Sequence, residues 1–235
     1  MHFPKFRLND FFSSLCIRFQ RLDVRVPMYR KDNVFHFLHI GRTGGSELRN
    51  RFKYINMHTN VRILHRKHYI TLRDIPASSE YLLTTRDPVQ RFISAFESLR
   101  LKPIMTKSRI EKELHDYFSS ANDLAESLFD DSIIGYQASR FMNGVWHLAQ
   151  KQSQFVCIED IYRRKPFFHF HTENLDIDFQ NFCNKLGINT PPLSKSNSGG
   201  YSSYDLSPKA LNNLKIWYSD DYSLISSLDY FTSAD

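Results

Sequence analysis

The stretch Phe35-His-Phe-Leu-His-Ile-Gly-Arg-Thr-Gly-Gly-Ser-Glu-Leu48 joins a short apolar run to a loop with three glycines and then to a helix-compatible segment. A glycine-rich loop between a strand and a helix surrounds a phosphate with backbone N–H groups, and the helix N-terminus adds partial positive charge. Arg42 adds a cationic fork, and Thr43 and Ser46 add hydroxyls. The stretch therefore predicts an anion-binding loop.

A second stretch, Arg86-Asp-Pro-Val-Gln-Arg-Phe-Ile-Ser94, follows another apolar run at residues 81–85. Asp87 suits a helix N-cap, and Pro88 suits the first helical position. Arg86 would then end a strand, and Ser94 would lie two turns into the next helix. Both side chains can face the same anion in that arrangement, so this stretch predicts a second half of an anion site.

Apolar, β-rich runs alternate with helix-compatible segments along the chain. This alternation is typical of an α/β fold with a central, mainly parallel sheet flanked by helices, in which ligands bind at the carboxyl ends of the strands. We interpret residues 1–235 as one domain, with an N-terminal arm at 1–32 and a core at 33–230. The predicted strands are 34–40, 61–64, 81–85, 155–158 and 167–170, and the predicted helices begin near 46, 88, 100, 179 and 207.

Composition excludes several classes of protein. The 235 residues carry a net charge of +6, but the basic residues are scattered, so no nucleic-acid partner is predicted. No window supplies the roughly 20 apolar residues of a transmembrane helix. The three cysteines, Cys16, Cys157 and Cys183, lack metal-binding spacing and predict free thiols. With no long apolar leader at the N-terminus, a cytoplasmic location is expected.

The first loop differs from the P-loop of nucleoside triphosphatases, GxxxxGK[ST]. Aligned on Ser46, the lysine position holds Gly45 and the first glycine position holds His39. The loop keeps the character of a phosphate site but carries its cation at Arg42. We therefore predict a P-loop-like, three-layer fold. A loop of this kind is also compatible with a non-catalytic or degenerate P-loop nucleotide-binding protein, kinase-like in character, which stays open as an alternative function.

Taken together, the two loops resemble the cofactor-binding segments of sulfotransferases. The pattern Arg-Asp-Pro-x-x-Arg-Phe-x-Ser resembles their 3′-phosphate segment, and the first loop resembles their 5′-phosphosulfate loop, commonly His-x-Pro-Lys-Thr-Gly-Gly-Thr. His68-Tyr-Ile-Thr-Leu-Arg-Asp-Ile-Pro76, Thr172-Glu-Asn-Leu-Asp-Ile-Asp-Phe179 and a segment from Leu206 to Tyr222 are similar to bacterial carbohydrate-type members, related to the heparan sulfate 2-O and 6-O enzymes. The resemblance spans about residues 34–225.

This resemblance implies transfer of a sulfuryl group from 3′-phosphoadenosine 5′-phosphosulfate (PAPS) to a hydroxyl acceptor, expected to be a glycan, without a metal. Arg42 would contact the phosphate and the sulfonate. It stands where the family usually has lysine, and Gly41 stands where proline is common. Arginine still supplies charge and N–H donors. The implied cofactor residues are Arg42, Thr43, Gly44, Gly45, Ser46, Arg86, Ser94 and Tyr201.

The general base of such a transfer must accept the acceptor proton near neutral pH, which suits histidine. His68 is the predicted base, because it lies between the two loops within the family-like segment. His65 and Glu47 are the alternatives, whereas His36 and His39 are interpreted as structural.

Arg91 and the pair of histidines at 169 and 171 are further polar residues whose roles the sequence suggests. Arg91 is interpreted either as a solvated helix charge or as the partner of Asp87 or Glu47, with binding of the anion as the other possibility. His169 and His171 alternate on a β-like run, where metal binding is possible. Because no third ligand lies nearby in the sequence, we predict no metal.

Overall fold

The computed structural model of the chain describes residues 34–189 and 206–232. The expected N-terminal arm, the loop at 191–204 and the candidate Tyr201 therefore lie outside the described residues.

Four parallel strands form the sheet of the described part: β1 (Val34–Leu38), β2 (Arg62–His65), β3 (Glu80–Thr85) and β4 (Phe168–His171). Their order is β2-β1-β3-β4, and each neighbouring pair is parallel. The predicted α/β class with a parallel sheet is confirmed. Since β1 pairs with both β2 and β3, the loops after β1 and β3 leave the same edge of the sheet side by side.

Ten α-helices connect and cover these strands within the described ranges. They are α1 (Gly45–His58), α2 (Pro88–Leu101), α3 (Arg109–Tyr117), α4 (Ala121–Glu126), α5 (Ile133–Gly144), α6 (Trp146–Ala149), α7 (Ile158–Arg163), α8 (Leu175–Lys185), α9 (Pro208–Trp217) and α10 (Ser219–Thr232). Short 3-10 turns occur at Leu72–Asp74, Ile104–Thr106, Gln152–Gln154 and Thr172–Asn174. None of the described helices combines the length and apolarity that a bilayer crossing requires.

The strand predicted at residues 155–158 is wrong. This segment follows a 3-10 turn and leads into α7, which begins at Ile158. Phe155 and Val156 are nevertheless buried, because they pack beneath the sheet as part of a turn. A run of four apolar residues indicates that the segment is buried, but so short a pattern does not distinguish a strand from a buried turn.

Successive side chains of a strand point to opposite faces of the sheet, so the apolar core is divided between the two faces. Phe35 and Phe37 pack with Phe52 of α1 and Phe182 of α8 on one face. On the other face, the cluster that includes Leu38 contains residues of α7 and α10. A third cluster joins α2 to helices α3–α6 and α9. Each fully buried phenylalanine contributes about 1.5–3 kcal/mol, so helices on both faces hold the sheet and its loops in place.

The N-cap predicted for α2 is confirmed. Asp87 accepts a hydrogen bond from the backbone N–H of Gln90 at 2.8 Å, and Pro88 occupies the first helical position. Tyr222 of α10 donates to the second carboxylate oxygen of Asp87 at 3.2 Å. The start of α2, and with it the loop after β3, is therefore fixed from two sides.

Candidate functional site

The loop after β1 has a backbone suited to binding an anion. Arg42 has a φ of 69° and Gly44 a φ of 74°, whereas Gly41, Thr43 and Gly45 do not have positive φ. Residues of alternating handedness form a concave nest in which successive N–H groups can face one ligand. Gly44 is also the N-cap of α1, so the positive end of that helix adds to the nest.

The two predicted half-sites meet at the carboxyl edge of the sheet. Arg42 donates to the hydroxyl of Ser94 from Nε at 3.2 Å and from Nη2 at 2.8 Å, although the two residues are 52 positions apart. Arg86 approaches the backbone carbonyl of Arg42, with Nη1 at 3.5 Å from the oxygen. Parallel pairing of β1 with β3 produces this contact, which joins the two loops into one cationic site.

Arg91 belongs to this site, and its interpretation as a solvated or acid-paired helix charge is wrong. Its side chain is buried, and Nε donates to the carbonyl of Gly41 at 2.9 Å. Its Nη2 has no hydrogen-bond partner among the described residues. Burial lowers the pKa of this guanidinium, and the charge of nearby Arg42 lowers it further. Asp221 and Tyr218 lie close enough to oppose that shift. A buried donor without a protein partner can bind a water molecule or an anionic oxygen.

The other candidates in the first loop occupy different environments. Thr43 is fully buried, and its hydroxyl donates to the carbonyl of Ile40 at 2.9 Å. Ser46 is exposed at the start of α1. Glu47, an alternative base, accepts a hydrogen bond from Arg51 at 3.1 Å. Arg51 also contacts Asp176. Glu47 is therefore held in an ion pair, while Ser46 is open to a ligand.

Four histidines surround the same loop. The ring centroid of His39 lies 4.4 Å from that of His65 and 4.0 Å from that of His68. His147 of α6 lies 6.1 Å from His68, and the charge of Arg42 acts on it. Sequence reasoning missed His147, because nothing in the helical region 100–150 marks one position as facing the loop. We call these four residues the histidine cluster.

The environment of the histidine cluster favours uncharged imidazoles. Burial is the main cause, and it lowers the pKa of His39 to about 3 and that of His65 to about 4. The pKa of His147 falls to about 4, chiefly by burial and then through Arg42 and Arg91. Burial also lowers the pKa of His68. Neutral imidazoles accept protons, which is the state a general base requires.

His68 has a fixed tautomer in its neutral form. Its Nδ1 lies 3.0 Å from the backbone carbonyl of His39, and because a carbonyl oxygen only accepts, Nδ1 must carry the proton. Nε2 is then left with its lone pair. His68 and the alternative base His65 are both partly buried, but Nε2 of His65 is a buried atom without a hydrogen-bond partner among the described residues. The preference for His68 therefore rests on its fixed tautomer and on the enclosed Nε2 of His65.

Positions 41 and 45 require glycine, because imidazole rings lie directly against the loop backbone there. A Cβ atom on Gly45 would lie 2.0 Å from Cδ2 and 2.1 Å from Nε2 of His39. On Gly41 it would lie 2.6 Å from Nδ1 of His147. The two glycines thus let imidazole rings touch the backbone of the loop after β1. This close approach gives a physical reason for glycine at position 41.

Replacing Gly45 by alanine is expected to destabilise the fold by about 1–2 kcal/mol. Alanine gains up to about 1 kcal/mol in helix propensity, but a Cβ at 2.0 Å from the His39 ring puts the overpacking cost in the upper part of the usual range, about 2–3 kcal/mol. His39 has little room to move, because the rings of His65 and His68 flank it. Urea unfolding followed by circular dichroism measures the change. Ser46→Ala, at the next and exposed position, should stay within about 0.5 kcal/mol of the parent. A Gly45→Ala protein as stable as the parent would contradict this packing.

The backbone of Arg86 is held by a side-chain clamp that sequence reasoning also missed. The amide of Gln152 accepts from Arg86 N at 3.0 Å and donates to Arg86 O at 2.8 Å. Asp221, fully buried, accepts in turn from the backbone N–H groups of Gln152 and Ser153. Residues from two distant segments therefore fix the loop after β3.

A cavity opens beside Arg86 at the carboxyl ends of β3 and β4. Its walls come from both strand ends, from the start of α2 and from α10. The lining residues are Thr85, Arg86, Asp87, Pro88, His171, Glu173, Tyr222 and Ile225. The carboxylate of Glu173 accepts from Asp87 N at 2.9 Å, so this wall is internally bonded. The cavity adjoins the cationic site at the edge where ligands bind in α/β folds.

Comparisons with protein-family models, with curated proteins and with solved structures find no match for the chain.

Proposed function

We propose that the chain is a PAPS-dependent sulfotransferase that transfers a sulfuryl group to a hydroxyl acceptor, with a carbohydrate as the expected acceptor class. The contact between Arg42 and Ser94 is the observation that supports this most. PAPS carries anionic groups at both its 5′ and 3′ positions, so its site needs cations from two loops at once. Parallel pairing of β1 and β3 brings those loops together. Helices on both faces of the sheet agree with a P-loop-like, three-layer fold.

The residues present fit a polyanionic cofactor. Within the described ranges, no carboxylate lies at ion-pair distance from Arg42 or Arg91. The unpartnered Nη2 of Arg91 and the nest formed by residues 41–45 add donors on the same side. Charge-assisted hydrogen bonds of this kind are about twice as strong as neutral ones. Arg42, Gly44, Gly45 and Ser46 would hold the 5′ end, and Arg86 and Ser94 the 3′-phosphate.

Each residue has a defined task in the proposed reaction. PAPS supplies the sulfuryl group. His68 holds its own proton at Nδ1 against the carbonyl of His39, and its Nε2 accepts the proton of the acceptor hydroxyl. Arg42 places fixed positive charge where the leaving phosphate develops negative charge, which stabilises the transition state without transferring a proton. Ser94 orients Arg42 through two hydrogen bonds.

Binding of adenosine 3′,5′-bisphosphate tests the cofactor assignment. At 100 times its Kd, the nucleotide should stabilise the native state by about 2.7 kcal/mol. For a chain of this size, that raises the Tm by roughly 5–10 °C. Adenosine 5′-monophosphate, which lacks the 3′-phosphate, is the matched control and should give a clearly smaller shift. Absence of any shift at millimolar nucleotide would contradict the proposal, as would a larger shift with ATP and Mg²⁺.

Transfer of labelled sulfate from PAPS to a panel of glycans separates catalysis from binding. Labelled product supports the proposed enzyme. A protein that binds the bisphosphate but labels no glycan in the panel would instead support the alternative of a non-catalytic nucleotide-binding protein.

A further inference from the structure

His169, His171 and Asp229 bring three metal-ligating side chains together at the carboxyl end of β4. One ligand atom from each lies within 4.8 Å of the other two. The two histidines are on β4, and Asp229 is on α10, 58 residues beyond His171. The third ligand of the group therefore comes from the C-terminal helix.

Both histidines are oriented by partners on the ring nitrogen that faces away from Asp229. Nδ1 of His171 lies 2.9 Å from the carboxylate of Asp178, and Nε2 of His169 lies 2.7 Å from the hydroxyl of Thr85. Histidines that bind metals are held in this way, with one nitrogen on an outer oxygen and the other on the ion. The nitrogens left over are Nε2 of His171 and Nδ1 of His169.

These two remaining nitrogens face the same oxygen. Oδ1 of Asp229 lies 2.9 Å from His171 Nε2 and 3.7 Å from His169 Nδ1. The side chain of His169 is fully buried, and its Nδ1 has no hydrogen-bond partner among the described residues. A buried ring nitrogen in a protein normally has a hydrogen-bond partner, and Nδ1 of His169 lacks one.

We propose that His169 Nδ1, His171 Nε2 and Asp229 Oδ1 bind one divalent transition metal ion, of which Zn²⁺ is the representative. Metal–ligand bonds of about 2.0–2.2 Å place neighbouring ligands of a tetrahedral ion about 3.4 Å apart. The observed separations of 2.9 and 3.7 Å lie on either side of that value. Two imidazoles and one carboxylate suit zinc or cobalt, and they suit the all-oxygen preference of Mg²⁺ and Ca²⁺ poorly.

A metal at this position would join α10 to β4. His171 lines the cavity beside Arg86, as do Tyr222 and Ile225 of α10. The ion would therefore hold the His171 wall of that cavity against α10, and the fourth position of a tetrahedral ion would be left to water. The site is separate from the histidine cluster, which surrounds the loop after β1.

Titration of the chelator-stripped full chain with Co²⁺ and Zn²⁺ tests the proposal. We expect one equivalent of Co²⁺ to bind with the visible absorption of a tetrahedral centre, Zn²⁺ to displace it, and the Tm to rise with either ion. Asp229→Ala should lower the affinity by at least about 100-fold. Asp178→Asn, which weakens the orientation of His171, should lower it by about 10- to 100-fold.

Asp220→Ala is the matched control, because Asp220 is an exposed carboxylate on the same helix, paired with Lys151. It should bind both ions like the parent. Asp229 is half-exposed, so its replacement should leave the metal-free fold intact, which circular dichroism in chelator checks. Equal affinity in the parent and in Asp229→Ala, or no binding to the parent at micromolar metal, would overturn the assignment.

Discussion

Replacing His68 with alanine should reduce sulfuryl transfer by about 10²–10⁴-fold, the usual contribution of a general base, while cofactor binding stays nearly unchanged. His68 has the fixed lone pair at Nε2, and its ring lies beside His39 and His147. None of the described hydrogen bonds of Arg42, Arg86 or Ser94 involves it. Steady-state kinetics with PAPS, together with nucleotide titration, separates the two quantities.

The pH profile gives a second readout for the same residue. Burial lowers the pKa of His68, which favours the deprotonated base at neutral pH. The value of kcat/KM in the parent should be level around pH 7 and should fall only in the acidic range below pH 6.5. In His68→Ala this acidic limb should disappear.

His58→Ala is the control, because His58 is an exposed histidine at the end of α1. It should keep the activity of the parent. Full turnover by His68→Ala would contradict the assignment, and His65 and Glu47 would then be tested as the base by His65→Gln and Glu47→Gln.

Arg86→Ala should weaken the binding of adenosine 3′,5′-bisphosphate by about 10- to 100-fold, the size expected when charged hydrogen bonds are lost. The clamp from Gln152 acts on the backbone N–H and carbonyl of Arg86, so alanine preserves it. The variant thus removes the guanidinium, together with its contact to the carbonyl of Arg42, while the backbone at position 86 stays anchored. Isothermal titration calorimetry measures the affinity.

Arg109→Ala is the matched control for this loss of charge. Arg109 is almost fully exposed on α3 and pairs with Glu113, so its replacement changes the net charge equally without touching the site. Its nucleotide affinity should equal that of the parent. If Arg86→Ala also bound like the parent, the 3′-phosphate assignment would be wrong.

Local sequence determined the elements that carry the loops. The apolar run before Gly41 and the sequence Asp87-Pro88 each have a local physical cause: burial on both faces of a parallel strand, and capping of the next helix. The predicted positions of the loops at strand ends were therefore correct. The strand predicted at 155–158 failed because apolarity alone specifies burial and not backbone conformation.

The environment of each polar side chain was decided by tertiary structure. Arg91 has the local pattern of a solvated helix charge, yet packing of α2 against the loop buries it on Gly41. Nothing near His147 or Gln152 in the sequence indicates contact with loops more than 60 residues away. Such contacts depend on which helices cover which face of the sheet.

The sequence by itself thus determined an α/β chain with two arginine-bearing loops at strand ends, because glycine, proline and capping residues act on their own neighbours. Tertiary structure decided that the loops form one site, that the environment of the surrounding histidines favours their uncharged form, and that Asp229 joins His169 and His171. Charge, burial and ligand geometry depend on distances between residues far apart in the chain, and only the packed sheet and helices define those distances.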